Sequence, residues 1–337
     1  MDTHLAKIQT ARAIAPGIYD FTLSAPQLAK EARPGQFVHI RLPGHTLRRP
    51  ISICSASAAE GTVRLVFAVR GEGTRALAAM GREETLDLLG PLGNSFMPEF
   101  TRSKFGSSLP EAEGACGDGA ACAPEFTRSK VGSVRPEAGG ACGDGAACAP
   151  EYPRSKFGSV RPEAGGACGD GTACAPEKSR SADGRVMLVG GGIGVPPMLF
   201  LAQALHGDCI AVLGFRSAES AILAEEFRAL GCDTRIATED GSLGEKGFVT
   251  DCFPQSGISA IAACGPVPML RAVASYAKAR AIPCAVSLEA RMACGVGACL
   301  GCACSLLRED GTAYYGHVCK DGPVFDAARV AWEGAQA

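Results

Sequence analysis

The chain has 337 residues, enough for two or three domains, and its 47% apolar and 20% charged residues are ordinary for a globular protein. A formal charge of -2 gives no reason to expect nucleic acid or an anionic membrane as a partner, and no apolar run reaches the roughly 18 residues of a spanning helix. Cysteine is the outlier at 17 residues; because residues 1–10 carry Asp2, His4 and Lys7 instead of an export signal's apolar core, a cytoplasmic location with reduced, metal-ligating thiols is expected.

Short β-like runs open the chain: Ala6 to Ala13, Ile18 to Leu23, Gln36 to Leu42, Pro50 to Ala56, Val63 to Val69 and Leu86 to Leu89. Gly and Pro turns separate them, which predicts an antiparallel β-barrel over residues 1–97, with a short helix from Thr74 to Met80. Two segments stand out as nucleotide-binding candidates. In Arg48-Arg49-Pro50-Ile51-Ser52, a strand arginine suits phosphate oxygens, and in Gly71-Glu72-Gly73-Thr74 a glycine turn opens a helix. Each is weak alone, since a surface arginine and a plain turn give the same letters.

A block beginning at Pro98, Pro124 and Pro150 then repeats every 26 residues, with a remnant at Pro176. Each copy holds two cysteines in C-x5-C spacing, from Cys116 and Cys122 onward, which matches no common zinc pattern. Little besides alanine is available to pack one copy on the next, so a solenoid is disfavoured. Residues 98–178 are therefore expected to be a disordered, flexible repeat insertion at an interdomain linker.

Residues 179–288 alternate strand and helix, which predicts an α/β domain with a parallel sheet. Its first strand, Arg185 to Val189, runs into Gly190-Gly191-Gly192-Ile193-Gly194 and a helix, with prolines at the helix start. This is not the G-x-G-x-x-G fingerprint, but ligands of such sheets gather at strand carboxyl ends. A second strand end carries Cys264-Gly265-Pro266, where Cys264 either faces a nicotinamide ring or is simply buried. Arg216, after the second strand, leaves NAD against NADP open.

Residues 289–337 contain Cys294, Cys299, Cys302 and the distant Cys319. The C-x4-C-x2-C spacing with a remote fourth cysteine is the plant-type [2Fe–2S] pattern, whereas structural zinc prefers paired short spacings. Cys304 reads as a bystander. This is the most specific signal in the chain.

A flavin-type barrel, a nicotinamide domain and a C-terminal cluster, in that order, resemble the ferredoxin-reductase superfamily. Within it the segments RRPISI, GEGT, GPLGNSF, LVGGGIGVPPM, ACGPVPM, LEARMACGVGACLGCAC and HVCKDGPVF are most similar to the electron-transfer subunits of dihydroorotate dehydrogenase B. The resemblance implies FAD on Arg49, Pro50, Ile51, Ser52, Val66, Phe67, Ala68, Gly73 and Thr74, with Ile51 where the wider superfamily often has tyrosine. It implies NAD at the two strand ends and a [2Fe–2S] cluster on the four cysteines. It also implies a catalytic FMN subunit as partner, in a heterotetramer serving pyrimidine biosynthesis, with no acid–base residue of this chain acting on dihydroorotate. A self-sufficient NAD(P)H–ferredoxin-type reductase, or the flavin and iron–sulfur subunit of a hydrogenase or sulfite reductase, would use the same three modules.

Overall fold

The computed structural model describes residues 2–96 and 184–333, all within one unit of the fold. The repeat block and its six cysteines lie outside the described residues.

Six strands close the first domain: β1 (Asp2–Ala15), β2 (Ile18–Ser24), β3 (Phe37–Arg41), β4 (Arg49–Ser57), β5 (Thr62–Ala68) and β6 (Thr85–Leu92). Their order around the barrel is β1-β2-β5-β4-β3-β6, and every pairing is antiparallel, as the sequence predicts. Alternate residues point inward, so Val38, Ile40, Ile51, Ile53, Leu65 and Phe67 fill the core with Leu86 and Leu88. Two short helices decorate it, α1 (Pro26–Glu31) and α2 (Glu72–Ala78). The Thr74 hydroxyl accepts the backbone N–H groups of Arg70 (2.8 Å) and Gly71 (3.1 Å) and so fixes the entry to α2.

The second domain is built on β7 (Arg185–Gly191), β8 (Cys209–Phe215), β9 (Asp233–Thr238), β10 (Glu245–Lys246), β11 (Ile258–Cys264) and β12 (Cys284–Ser287), with helices α3 (Val195–Ala204), α4 (Ala224–Ala229) and α5 (Val267–Ala279). Its central strands are near-continuous apolar runs, as a sheet covered on both faces requires. Helix α3 is buried almost all round because it fills the space between sheet and barrel: Leu199 and Leu201 join the sheet core, while Phe200 joins the barrel core. Helix α4 is shorter than the Ala221 to Leu230 run suggests. A 3-10 turn at Ala218–Ser220, capped by Ser217, and a left-handed Leu223 (φ 62°) precede it.

The last segment is not a free-standing appendage. It contributes a hairpin, β13 (Ala303–Leu307) with β14 (Ala313–His317), and then β15 (Val324–Asp326). Strand β15 pairs antiparallel with β12, completing the sheet order β10-β9-β8-β7-β11-β12-β15. Asn94, just past β6, donates to the carbonyls of Asp321 (3.1 Å) and Val324 (2.8 Å) and accepts from the Val324 N–H (2.9 Å). The segment is thereby tied to barrel and sheet alike.

A buried ion network joins the first two domains. Asp20, 1% exposed, accepts from Arg12 (2.7 Å) and Arg64 (2.8 Å), and Arg64 reaches on to Glu226 of α4 (2.9 Å). Burial alone would raise the Asp20 pKa, but the two guanidinium groups outweigh it and the net shift is downward. The stabilisation is therefore present above the ordinary carboxylate range and lost as pH falls through the lowered folded value. Asp20→Asn should cost about 1.5–3 kcal/mol at neutral pH, because the buried carboxylate shared by both guanidiniums is lost and only Arg64 keeps a second partner, Glu226. Urea unfolding at pH 7 and pH 3 checks this: the gap between variant and parent should narrow at the lower pH.

Candidate functional site: a cleft beside a four-cysteine loop

Three parts of the chain, far apart in sequence, meet around a cleft of about 200 Å³. The barrel supplies Phe37, Pro50, Ile51, Ser52, Val66, Phe67 and Ala68, with Arg70 and Thr74 from the entry to α2. The sheet supplies Ile193 from the glycine turn and Cys264 from the end of β11. The end of β12 and the loop that follows it supply Ser287, Leu288, Glu289, Ala290 and Met292. Met292 stands two residues before Cys294, so the cleft wall and the cysteine loop are one continuous piece of chain.

Arg49 does not line the cleft itself. Its guanidinium lies over Gly73, where an added Cβ would fall 2.1 Å from Nε, so a glycine is required for the arginine to reach the start of α2. Phe67 offers the cleft little of its ring, which packs edge-on against Phe21 at 5.2 Å in the barrel core.

In the glycine turn, a Cβ at Gly194 would meet the Cys264 carbonyl at 2.2 Å, and one at Gly191 would meet Met269 at 2.6 Å and Pro266 at 2.9 Å. A Cβ at Gly265, in turn, would fall 3.0 Å from the Gly191 backbone nitrogen. The two glycine motifs therefore interlock, and the absence of side chains lets the ends of β7 and β11 touch. Gly192 differs: it has φ 53°, and nothing stands within 4 Å of where a Cβ would sit. Cys264 is 2% exposed, and burial pushes its thiol up to about 12, leaving it neutral.

The cysteine loop runs from Cys294 to Cys302 with little regular structure, and its backbone N–H groups turn toward sulfur. Val296 (3.4 Å) and Ala298 (3.3 Å) donate to Cys294 Sγ, and Gly301 donates to Cys299 Sγ (3.4 Å). Gly297 donates to Cys319 Sγ (3.1 Å), and the Cys319 N–H donates to Cys302 Sγ (3.4 Å). The donors at Cys294, that of Val296 first, lower its pKa to about 6, while burial raises Cys319 to about 12. Cys299 is exposed, as are the neighbouring apolar side chains of Val296 and Leu300.

The iron–sulfur cluster binding domain of dihydroorotate dehydrogenase B matches residues 289–331. The whole chain is 32% identical to the dihydroorotate dehydrogenase B (NAD(+)) electron transfer subunit of Bacillus cereus strain G9842, over 95% of both chains. The same protein of Bacillus anthracis (strain CDC 684 / NRRL 3495) aligns equally well, at 32% identity and 95% coverage. This chain belongs to that family of electron transfer subunits. Among solved structures, an NADH-dependent reduced ferredoxin-NADP oxidoreductase studied for flavin-based electron bifurcation superposes with a TM-score of 0.65 at 26% identity. The match covers 98% of this chain and 90% of that one. A ferredoxin reductase of carbazole 1,9a-dioxygenase shares the fold at 16% identity and a TM-score of 0.50, covering 84% of this chain and 67% of its own.

The family's cofactors are FAD, a [2Fe–2S] cluster and NAD, and the residues present fit them. Among the described residues no three Cys, His, Asp or Glu side chains converge as they would around a single ion. The four sulfurs instead associate in two pairs, Cys294 with Cys299 and Cys302 with Cys319. Two pairs of thiolates, each sulfur receiving a backbone N–H, suit a two-iron centre better than one tetrahedral zinc. Cys304 differs in its surroundings: it lies on β13, and burial first, then the neighbouring Cys302, pushes its thiol up to about 11. The cleft is largely apolar, with Arg70 and Glu289 supplying one charge of each sign, as a flat heteroaromatic ring requires.

The sequence named the cleft's residues on β4, β5, the entry to α2, the glycine turn and the end of β11, but not Phe37, Arg70, Ser287, Leu288, Glu289, Ala290, Met292 and Pro323. LEARM, just upstream of the first ligand-type cysteine, carried the available signal, because any residue that close to Cys294 must lie near the centre.

Proposed function

We propose that the chain carries electrons released by dihydroorotate oxidation in an FMN-containing catalytic subunit to NAD+, through its cluster and its FAD. The observation that carries this reading is the continuity of the cleft with the cysteine loop through residues 287–294. When bound, FAD supplies the exchange between one-electron traffic and two-electron hydride chemistry.

In this reading Cys294, Cys299, Cys302 and Cys319 hold the cluster, and the backbone donors of the loop share its negative charge. Arg49, whose guanidinium lies over Gly73, would hold a phosphate of FAD with Gly73 and Thr74. Pro50, Ile51 and Ser52 support the flavin from β4, and Val66, Phe67 and Ala68 support it from β5. NAD+ approaches at the Gly190 to Gly194 turn, where the open Gly192 backbone leaves room for it. Cys264, followed by Gly265 and Pro266, lines the cleft with a neutral thiol that would face the bound nucleotide. No side chain here is assigned to acid–base work on dihydroorotate.

Val296 and Leu300, exposed beside Cys299, form the face on which the catalytic subunit docks, as pairs within a cytoplasmic heterotetramer. Among the described residues no helix is long and apolar enough to cross a membrane. The full-length relatives favour this reading over a hydrogenase or sulfite reductase subunit.

Anaerobic copurification with the FMN subunit tests the proposal. One FAD and two irons per chain, with dihydroorotate-dependent NAD+ reduction only when both subunits are present, is the expected result. Full cofactor content without that activity would assign the module to a different electron donor. A preference for NADP+ would reverse the choice of nucleotide.

A further inference from the structure

His39 is a fully buried polar side chain that nothing above employs. It stands on β3; its ring approaches the Cys294 backbone, but neither Nδ1 nor Nε2 reaches full hydrogen-bond geometry with a partner among the described residues. A buried ring nitrogen without a full hydrogen bond is costly, so an apolar side chain of similar volume would be the more stable filler. A group of this kind in a native interior needs a reason.

Its position suggests the reason. Strand alternation puts His39 on the outer barrel face with Phe37, which lines the cleft, and the two rings meet edge to face at 6.5 Å. On its other side lies Gly295, the residue after Cys294, where an added Cβ would fall 2.6 Å from Nδ1. Gly295 has φ 73°, so the loop turns there in a conformation that favours glycine. Beneath the ring the strand is held firmly: Arg48 donates to the His39 carbonyl (3.2 Å) and is itself anchored on Asp87 (2.9 Å). The imidazole is thus clamped between the flavin-cleft wall and the first cysteine of the loop.

We infer that His39 is a positioning residue for the iron–sulfur centre: it donates a ring N–H toward the cluster at its Cys294 end and raises the potential at which that centre accepts an electron. The inference rests on the assignment of the four cysteines as cluster ligands. An N–H directed at a sulfur-rich anion favours its more negative, reduced form, so losing the donor disfavours reduction. The same contact keeps the loop seated on the barrel, at a fixed separation from the cleft.

The test uses the complex with its catalytic subunit, purified anaerobically as parent, His39→Leu and His39→Gln. Iron content, the EPR spectrum of the reduced cluster and a redox titration are measured for each. His39→Leu should keep its iron but make one-electron reduction about tenfold less favourable, about 59 mV for a one-electron couple. Its EPR line shape should shift, and His39→Gln, whose amide can still donate, should recover most of the loss. Parent complex labelled with 15N-histidine should show a weak nitrogen coupling to the reduced cluster by pulsed EPR, and His39→Gln should abolish it.

An unchanged potential and spectrum in iron-replete His39→Leu would overturn the inference, since a ring that only bonds the Cys294 backbone would behave that way. If His39→Leu loses its iron, the labelled parent decides: no coupling, or one that survives in His39→Gln, overturns the inference. A parent without iron would instead overturn the four-cysteine assignment, which is a separate and recognisable result.

Discussion

Cys302→Ser is expected to strip the iron from the chain and abolish dihydroorotate-dependent NAD+ reduction, while FAD stays bound. Cys302 is 2% exposed and its sulfur accepts the Cys319 N–H, so it sits on the inner side of the loop. A serine hydroxyl there is a poor ligand for iron, and it leaves Cys319 without its partner. The loss should exceed the ~10–100-fold that follows removal of an outer-shell partner of a metal site. The residues proposed for FAD lie on β4, β5 and α2, and none of them is in the Cys294–Cys302 loop itself, so the flavin spectrum should survive. Cys304→Ser is the matched control, two residues away: its thiol is held protonated by burial, and iron content and activity should be those of the parent. Iron analysis and the visible spectrum of both variants decide the assignment, and equal losses in the two would sink it.

Arg49→Ala should have the second-largest effect, on flavin retention. The guanidinium is held above Gly73 by the shape of the backbone and donates to the Leu47 carbonyl (2.5 Å), so it is preset for an anionic ligand. Charge-assisted hydrogen bonds contribute about 1.5–3 kcal/mol each, which predicts a ~10–100-fold weaker Kd for FAD. Gly73→Val should reproduce the defect without touching the charge, because its side chain would occupy the space Arg49 now fills. Fluorescence titration of the flavin-free protein with FAD measures both. If Gly73→Val binds normally while Arg49→Ala does not, the arginine reaches the phosphate by a route other than over Gly73.

Much of this was legible in the letters, for identifiable reasons. The cysteine spacing was readable because ligation of a small rigid centre fixes how many residues fit between ligands. The barrel strands were readable because Gly and Pro turns punctuate them, and the parallel sheet because its central strands are nearly unbroken apolar runs. The far wall of the cleft was not readable. Phe37, Leu288 and Met292 come together from segments some 250 residues apart, and no local pattern encodes that convergence. Nor do the letters say why the glycine turn is glycine: Gly191 and Gly194 are demanded by contact with Pro266 and Cys264, a constraint between two strand ends. Strand β15 escaped because three residues are too few for a period to show.

That short strand has a consequence for how the polypeptide can be cut. Without residues 324–326, the outer edge of β12 would be an open row of backbone donors and acceptors beside the buried side chains of Ala285 and Val286. Such an edge is a template for pairing with a second chain. A truncated protein ending after β12, designed as a cluster-free flavin reductase, should therefore self-associate, and the iron–sulfur segment serves the nucleotide sheet as its protective border.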